Sequence, residues 1–372
     1  MRKVWVYFLQ PGMVVAKPIY DSEGRMLINS GVRLTYKYIQ SIKRLGIPAV
    51  YIDDPLLKDV EVVEVVRTET RLQIQKNIKK IYTEISSAQE RGISPRVPAK
   101  VIEKAVEVLI DEILEKRQFL VNLLDIRAYD DYTYAHSVNV CILSLLTGVS
   151  LGYSRSRLYS LGVGALLHDL GKIKVPEKIL KKPGKLTKAE FEEVKKHCIY
   201  GYEILKKQDI PAPSALVAYE HHERYNGEGY PRGLKGKEIH EYAQIAGMVD
   251  VYDALTSDRV YRKSFLPHEA FEMINGSGNY HYDIKLVKAF VENVAAYPVG
   301  TIVELNTGEI GVVVRTPKGF PYRPDVRVFE IEGGEVKVIR EVELSKETLL
   351  FIKRVIDEEE IAGFKELIEK GS

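Results

Sequence analysis

The chain has 372 residues, of which 45% are hydrophobic and 28% are charged, as is typical of a globular protein with two or three domains. The formal net charge of +2 gives no reason to expect a nucleic acid polymer or an anionic membrane as a partner. The only two cysteines, Cys141 and Cys198, exclude a disulfide framework and a four-cysteine zinc site.

No segment has the features of a targeting sequence or of a membrane span. The apolar run near the start of the chain is too short for a signal peptide. Residues 138–153, the most apolar later stretch, contain Asn, Ser, Thr and Gly and are shorter than a membrane span. Together with the low cysteine content, these observations predict a cytoplasmic protein.

Residues 1–55 are predicted to form a small α+β domain. The sequences VWVYF, MVVAKPIY and AVYI are typical of strands. A helix is predicted before Gly46, because four residues share one helical face: Tyr38, Ile39, Ile42 and Leu45.

Residues 56–125 are predicted to be a helical connector, and residues 126–296 show helical periodicity again and contain all eight histidines. From residue 297 to residue 372 the pattern becomes strand-like. TIVEL, EIGVVVRT, DVRVFEI and EVKVIR predict an antiparallel sheet or barrel, followed by a charged terminal helix. The chain is therefore predicted to be mainly α, with a central all-helical bundle, a small N-terminal α+β domain and a β-rich C-terminal extension.

Histidine and aspartate residues recur on the apolar faces of successive predicted helices. Each of them alone is more often a hydrogen-bonded core residue than a metal ligand, but their recurrence favours a shared site. The set is His136, His168, Asp169, His197, His221, His222 and Asp250. Divalent metals of hard to intermediate character prefer such nitrogen and oxygen ligands. Seven ligands exceed one tetrahedral site, so we expect two metal ions.

A hydrated metal pair suits hydrolysis at phosphorus, because it generates hydroxide at neutral pH and binds both sides of an in-line displacement. Lys172 follows His168 by four residues and can share its helical face. Its charge would neutralise a developing negative charge or hold a phosphate oxygen. Since the ligand set contains no thiolate, Fe or Mn is expected rather than Zn.

Three motifs follow one another along the chain: HDLGK at 168–172, HHERYNGEGYP at 221–231 and DVYDALTSDRVYR at 250–262. In this order they resemble the HD-GYP domain, a subgroup of the HD phosphohydrolase superfamily. Residues 11–35 resemble an accessory domain that often precedes HD-GYP domains. Residues 297–314 resemble the β-rich extension that usually follows them.

The resemblance implies a phosphodiesterase that hydrolyses cyclic di-GMP to pGpG, or on to GMP, through a dinuclear centre and a bridging hydroxide. It implies the same seven metal ligands, with Asp169 between the ions and with Asp169 and Lys172 as catalytic residues. It also implies a set of substrate-binding residues: Lys172, Gly229, Tyr230, Pro231, Arg259 and Arg262. The two cations per chain would be Fe or Mn.

The chain departs from the family pattern at two positions. Members with three metals resemble each other in having a carboxylate four residues before the first histidine, where this chain has Tyr132, so two ions are expected. The loop has Asn226 where aspartate is usual. Asparagine is well tolerated if this side chain only shapes the turn, but activity falls if it orients a ligand or Lys172.

Two other functions stay open. The protein could be a receptor that binds cyclic di-GMP without turnover and signals to a partner protein, a reading that Asn226 leaves available. Alternatively, it could be an HD phosphohydrolase that acts on another nucleotide phosphoester, such as a different cyclic dinucleotide. A homodimer is also left open.

Overall fold

The structure is a computed structural model that describes residues 1–21, 25–47, 49–60, 63–94, 96–116, 132–257, 265–332, 335–357 and 360. These residues form two compact units. The first unit contains residues of Met1–Glu64 together with those that follow Asn293, and the second contains residues of Val65–Gln118 and Thr133–Asn293. The four-part division at residues 55, 125 and 296 stays a prediction.

The N-terminal part of the first unit combines short strands with one helix. Strands β1 (Arg2–Trp5) and β4 (Ala49–Ile52) pair in antiparallel orientation, as do β2 (Ile19–Tyr20) and β3 (Met26–Ile28), and helix α1 spans Tyr36–Arg44. Two predicted strands are shorter than expected. A 3-10 turn at Val6–Phe8 ends the first strand. In the second, Pro18 precedes a strand of only two residues, and proline cannot donate a ladder hydrogen bond.

Helix α1 begins at a side-chain cap, since the N–H of Tyr38 donates to the Thr35 hydroxyl over 3.3 Å. Ile39 and Ile42 are buried, as predicted, but Tyr38 and Leu45 are exposed. The buried stripe of this nine-residue helix is therefore narrower than the four-residue face expected from the sequence.

The C-terminal part of the first unit is a five-stranded antiparallel sheet with the order β8-β7-β6-β5-β9. The strands are β5 (Ile302–Leu305), β6 (Ile310–Arg315), β7 (Asp325–Glu332), β8 (Glu335–Glu343) and β9 (Ile352–Val355). The predicted strands are present, and β9 was not predicted. Most of the predicted terminal helix lies outside the described residues.

The second unit is helical, which confirms the predicted mainly α fold. Its helices are α2 (Thr68–Glu90), α3 (Ala99–Glu115), α4 (Tyr132–Ser150), α5 (Arg155–Leu166), α6 (Glu177–Leu180), α7 (Lys188–Lys195), α8 (His197–Leu205), α9 (Ala212–Glu220), α10 (Glu241–Thr256), α11 (Pro267–Asn275) and α12 (Ile284–Val291). A 3-10 turn at Leu170–Lys174 follows α5. No helix of the part described here is long and apolar enough to cross a membrane.

Helix packing brings the motif-bearing ends of several helices together. Helix α9 packs against α5, α8 and α10, and the Leu170–Lys174 turn packs against α8. Gly171 permits the second contact, because a Cβ atom there would lie 1.9 Å from the carbonyl oxygen of His197 and 2.4 Å from the backbone nitrogen of Gly201. A glycine in the HDLGK motif thus lets the histidine-bearing end of α8 reach His168 and Asp169.

Candidate metal centre

The seven predicted ligands all lie in the helical unit. His136 is in α4, His168 and Asp169 follow α5, His197 is the first residue of α8, His221 and His222 follow α9, and Asp250 is in α10. His222 and Asp250 are partly exposed, whereas the other five residues are buried. Five helices therefore contribute to one cluster of imidazoles and carboxylates.

Backbone carbonyls fix the orientation of three imidazole rings. The Nδ1 atom of His168 lies 2.8 Å from the Ala165 carbonyl oxygen, and Nδ1 of His197 lies 2.6 Å from that of Val194. Nδ1 of His221 lies 3.0 Å from the carbonyl oxygen of the residue four positions before it. A carbonyl only accepts, so each Nδ1 carries the proton and each Nε2 keeps its lone pair. Metal-binding histidines are oriented in this way.

In the described residues, the possible ligand atoms form three overlapping groups, in each of which all atoms lie within 4.8 Å of one another. We name them the cysteine group (His197, Cys198, His221 and His222), the Asp250 group (His136, His168 and Asp250) and the Asp169 group (His168, Asp169 and His221). His221 and His222 are adjacent in the sequence. Their rings lie only 4.1 Å apart, and both belong to the cysteine group.

Asp169 lies between the other two groups. Its Oδ2 atom is 3.4 Å from Nε2 of His168, which belongs to the Asp250 group. Its Oδ1 atom is 3.5 Å from Nε2 of His197 and 3.9 Å from Nε2 of His221, which belong to the cysteine group. The two oxygens of one carboxylate therefore face two different sets of ligands.

Asp250 has a related position at the partly exposed side of the cluster. Its Oδ1 atom lies 3.1 Å from Nε2 of His136, and its Oδ2 atom lies 3.9 Å from Nδ1 of His222. This second carboxylate thus lies near one histidine of the Asp250 group and one histidine of the cysteine group.

Two unsatisfied atoms test whether the cluster fits a cation. Among the residues that the structure describes, Nε2 of His168 and Oδ1 of Asp169 are buried without a hydrogen-bond partner. A buried polar atom without a partner is destabilising by about 1–3 kcal/mol. Both atoms carry lone pairs and point at further nitrogen and oxygen ligands, so a divalent cation would satisfy them. The residues present fit metal binding.

The protonation states also suit coordination. Burial lowers the pKa of His222 to about 3, and burial likewise lowers the pKa values of His197 and His221 below the ordinary value. Burial alone would raise the pKa of Asp169, but the charge of Lys172, with His168 and His197, lowers it well below its usual range. The imidazoles of His197, His221 and His222 are therefore neutral and this carboxylate is ionised at neutral pH, which are the states that bind metal.

One edge of the cluster is open to solvent. The Lys172 side chain is 32% exposed, and its Nζ atom lies 2.5 Å from Oδ2 of Asp169. His222 and Asp250 are 18% and 14% exposed, whereas the side chains of His168 and His221 are fully buried. Solvent therefore reaches the cluster at Lys172, His222 and Asp250.

The Gly229–Tyr230–Pro231 loop packs beside this edge. The Tyr230 ring lies 4.7 Å from the His222 ring at an angle of 30°, so one of its faces is covered. Gly229 is one of the residues that the resemblance assigns to substrate binding. In the structure, a Cβ atom at 229 would lie 2.3 Å from the Cα atom of Glu223 and 2.3 Å from the nitrogen of Arg224. Glycine is needed at this position because two backbone segments of the same loop lie close together there.

Asn226 shapes the turn before Gly229. Its Oδ1 atom accepts the N–H of Glu228 over 3.0 Å, and its Nδ2 atom donates to Oε2 of the same residue over 2.6 Å. The first of these two bonds is the one that asparagine and aspartate use in turns. The contacts of Asn226 are therefore those of a residue that shapes the turn, the first of the two roles considered for it above.

Three residues near the centre were not predicted. Asp253, three residues after Asp250, has its Oδ2 atom 2.6 Å from Nδ1 of His136, and its position in DVYDAL was the available signal. Glu223, in HHE, accepts the N–H groups of Arg232 and Leu234 over 2.7 and 2.9 Å and holds the loop. Cys198 joins the cysteine group, and no motif signalled it.

Arg259 and Arg262 lie outside the described residues, so their predicted contact with substrate phosphate stays a prediction. The side chain of Tyr132, the first residue of α4, also lies outside the described part. The expectation of two ions rather than three, which rested on Tyr132, is therefore untested.

Comparison with known families finds two matches. Residues 108–286 match the HD domain, and residues 302–364 match the KOW domain associated with HD domain. A cyclic di-GMP phosphodiesterase of Pseudomonas aeruginosa is 39% identical over 241 residues, which are 63% of this chain and 58% of that protein. This chain belongs to the HD-GYP family. The predicted family is confirmed.

Two other HD-GYP relatives differ in the substrate that their names give. A cyclic di-GMP phosphodiesterase of Thermotoga maritima is 36% identical over 199 residues, which are 52% of this chain and 53% of that protein. A 3'3'-cGAMP-specific phosphodiesterase of Vibrio cholerae is 41% identical over 135 residues, which are 36% of this chain and 29% of that protein. The chain thus spans 58% and 53% of the length of the first two relatives.

Proposed function

We propose that this protein is a metal-dependent phosphodiesterase that hydrolyses cyclic di-GMP to pGpG, or on to GMP. The observation that carries the proposal is the position of Asp169, whose two oxygens face two separate groups of ligands. Relatives named as cyclic di-GMP phosphodiesterases support the choice of substrate.

The ligand groups support two divalent ions per chain, Fe or Mn. His197, His221 and His222 would hold one ion, and His136, His168 and Asp250 would hold the other. Asp169 would offer one oxygen to each. Bound divalent ions supply Lewis acidity at phosphorus and lower the pKa of water, which makes a nucleophile available at neutral pH.

The chain's own residues would bind and orient the dinucleotide. Lys172, at the open edge, keeps Asp169 ionised and would attract a phosphate oxygen. Tyr230, the aromatic residue packed beside His222, would contact a base. Gly229 and Pro231, on either side of Tyr230, would line the same part of the binding site. Arg259 and Arg262 are proposed phosphate ligands from the sequence motif alone. Hydrolysis adds water across one P–O bond, so that the attacked phosphorus gains an oxygen and the ribose oxygen leaves with a proton.

Another cyclic dinucleotide is the second candidate substrate. The Vibrio cholerae relative is named for its specificity for 3'3'-cGAMP, which differs from cyclic di-GMP in one base. Metal ions held by these groups would bind phosphate and water rather than bases, so the proposed centre would serve either substrate equally. We also propose a cytoplasmic location, because the substrate that the family resemblance implies, cyclic di-GMP, is an intracellular messenger.

The test uses the full chain, purified without oxygen, and measures metal content and turnover together. We expect about two ions per chain and hydrolysis of cyclic di-GMP faster than that of 3'3'-cGAMP. Asp169→Asn should lose turnover and at least one ion, whereas His268→Gln, at a histidine outside the cluster, should keep both.

Each other result has a definite meaning. Metal with tight binding of cyclic di-GMP but no turnover would make the protein a receptor. Faster turnover of 3'3'-cGAMP would support the second candidate substrate. A chain that binds no divalent metal would refute the ligand assignment.

A further inference from the structure

Cys198 is the second residue of α8 and is completely buried. Its Sγ atom lies 3.5 Å from Nε2 of His197, and it is one of the four mutually close ligand atoms of the cysteine group. The sequence offered no reason to include a thiol in the metal centre. Its position at the centre therefore requires an explanation of its own.

The distances within the cysteine group match those between ligands of one tetrahedral ion. Metal–nitrogen and metal–sulfur bonds of about 2.0 and 2.3 Å place two nitrogens about 3.3 Å apart and a nitrogen and a sulfur about 3.5 Å apart. In the structure, the Nε2 atoms of His197 and His221 lie 3.3 Å apart, and the sulfur–nitrogen distance is 3.5 Å. Both distances agree with coordination of one shared ion.

A second observation points to the same place. Oδ1 of Asp169 is buried and, within the described residues, has no hydrogen-bond partner. It lies 3.5 Å from Nε2 of His197 and 3.9 Å from Nε2 of His221, so this unsatisfied acceptor is directed at the cysteine group. A cation bound there would contact the carboxylate oxygen as well as the imidazoles.

We propose that Cys198 is a thiolate ligand of the ion that His197, His221 and His222 hold. The inference rests on the proposed metal centre and adds a ligand to it. When the ion binds, the S–H bond breaks, the proton leaves to solvent and a sulfur–metal bond forms. Thiolate is a soft ligand that selects Fe, Co or Zn over Mn. At this position a thiolate therefore favours Fe over Mn, and it removes the absence of a thiolate as a reason to prefer either of them to Zn.

Cys141 provides the matched control. It is also completely buried, but its Sγ atom lies 3.4 Å from the carbonyl oxygen of Gly162, and it belongs to none of the ligand groups of the described residues. Because the chain has only these two cysteines, a signal from a metal-bound thiolate can be assigned to one of them by single substitutions.

The experiment loads the metal-free full chain with Co²⁺ and records both the bound Co²⁺ per chain and the near-ultraviolet sulfur-to-cobalt absorption. The wild-type protein and Cys141→Ser should show the absorption band, and Cys198→Ser should lose it. The Cys141→Ser protein decides the question even if Cys198→Ser does not fold, since its only sulfur able to form a thiolate is that of Cys198.

Three results would overturn the proposal, and they distinguish loss of the thiolate ligand from loss of the whole metal centre. Bound Co²⁺ without the band in the wild-type protein, or with the band kept in a folded Cys198→Ser protein, would remove Cys198 from the ligands and leave the metal centre in place. A chain that binds no Co²⁺ at all would refute the proposed centre and the thiolate ligand together.

Discussion

Nδ1 of His136 lies 2.6 Å from Oδ2 of Asp253, and Asn139 donates to the other oxygen of this carboxylate over 3.1 Å. The aspartate thereby fixes the ring whose Nε2 atom faces Asp250. Asp253→Asn should weaken metal binding about 10- to 100-fold, the usual effect of removing a carboxylate behind a histidine ligand. Metal competition titrations measure this. Asp283→Asn, which changes the cap of α12, is the control and should leave affinity unaltered.

Gly171 should be essential to the position of α8. Gly171→Ala would place a methyl group 1.9 Å from the His197 carbonyl oxygen, so the backbone must shift. We expect destabilisation of about 1–3 kcal/mol, as for other overpacked sites, and loss of metal. Gly276→Ala is a suitable comparison, because its nearest contact would be 3.3 Å and its φ angle is −71°. If Gly171→Ala kept its metal and its melting temperature, the described contact would be wrong.

Asn226→Asp would restore the residue usual in the family but should not improve this chain. The substitution removes the hydrogen bond to Oε2 of Glu228 and places two carboxylates where the present atoms are 2.6 Å apart. We expect faster amide hydrogen exchange in residues 226–231 and a higher KM, with a cost below about 1 kcal/mol because the pair is solvent-exposed. Glu228→Gln in the same protein should reverse both effects. Improved turnover in Asn226→Asp alone would show that position 226 orients substrate or ligand instead.

Stability of the helical unit should depend on pH through Glu112. This carboxylate, in α3, accepts the backbone N–H of Arg67 over 2.9 Å, the Nε–H of Arg67 over 2.8 Å and the Thr70 hydroxyl over 2.7 Å at the start of α2. Burial alone would raise the pKa of Glu112, but these bonds lower it below its ordinary value of 4.5. A lowered pKa stabilises the fold above the ordinary value, and that stability is lost as the pH falls through the lowered value.

Denaturant unfolding of Glu112→Gln beside wild type checks this prediction. We expect Glu112→Gln to lower the free energy of unfolding by about 1–3 kcal/mol near neutral pH, and the difference should shrink in acid as wild-type Glu112 takes up a proton. Glu115→Gln, at an exposed glutamate of the same helix, should have no such effect. If the difference in unfolding free energy between the two proteins did not change with pH, the loss would come from altered packing rather than from the charge of Glu112.

Much of the site could be predicted because motif spacing places histidines at helix ends. His168 and Asp169 are adjacent in sequence, and they remain adjacent once α5 ends. Cys198 could not be predicted in the same way. Its role depends on how closely α8 approaches α9, which is set by packing of both helices and not by local sequence.

The same distinction explains the errors in the fold. The helical period within residues 56–125 predicted α2 correctly, because its buried stripe, which includes Ile74, Ile78, Ile81 and Ile85, lies within one helix. Strand lengths near Pro18 and the presence of β9 depend on which neighbour supplies hydrogen bonds, so apolar patterns alone could not predict them.

The two ends of the described chain have a consequence for truncation. Leu57 shares a buried cluster with Val312 and Phe329, and both guanidinium ends of Arg327 contact the Asp59 carboxylate over 2.7 Å. Removal of the C-terminal sheet would therefore leave an apolar face and an unpaired aspartate on the N-terminal part. A shortened protein that keeps one part and drops the other should aggregate, so the helical unit is best isolated by cutting on both of its sides at once.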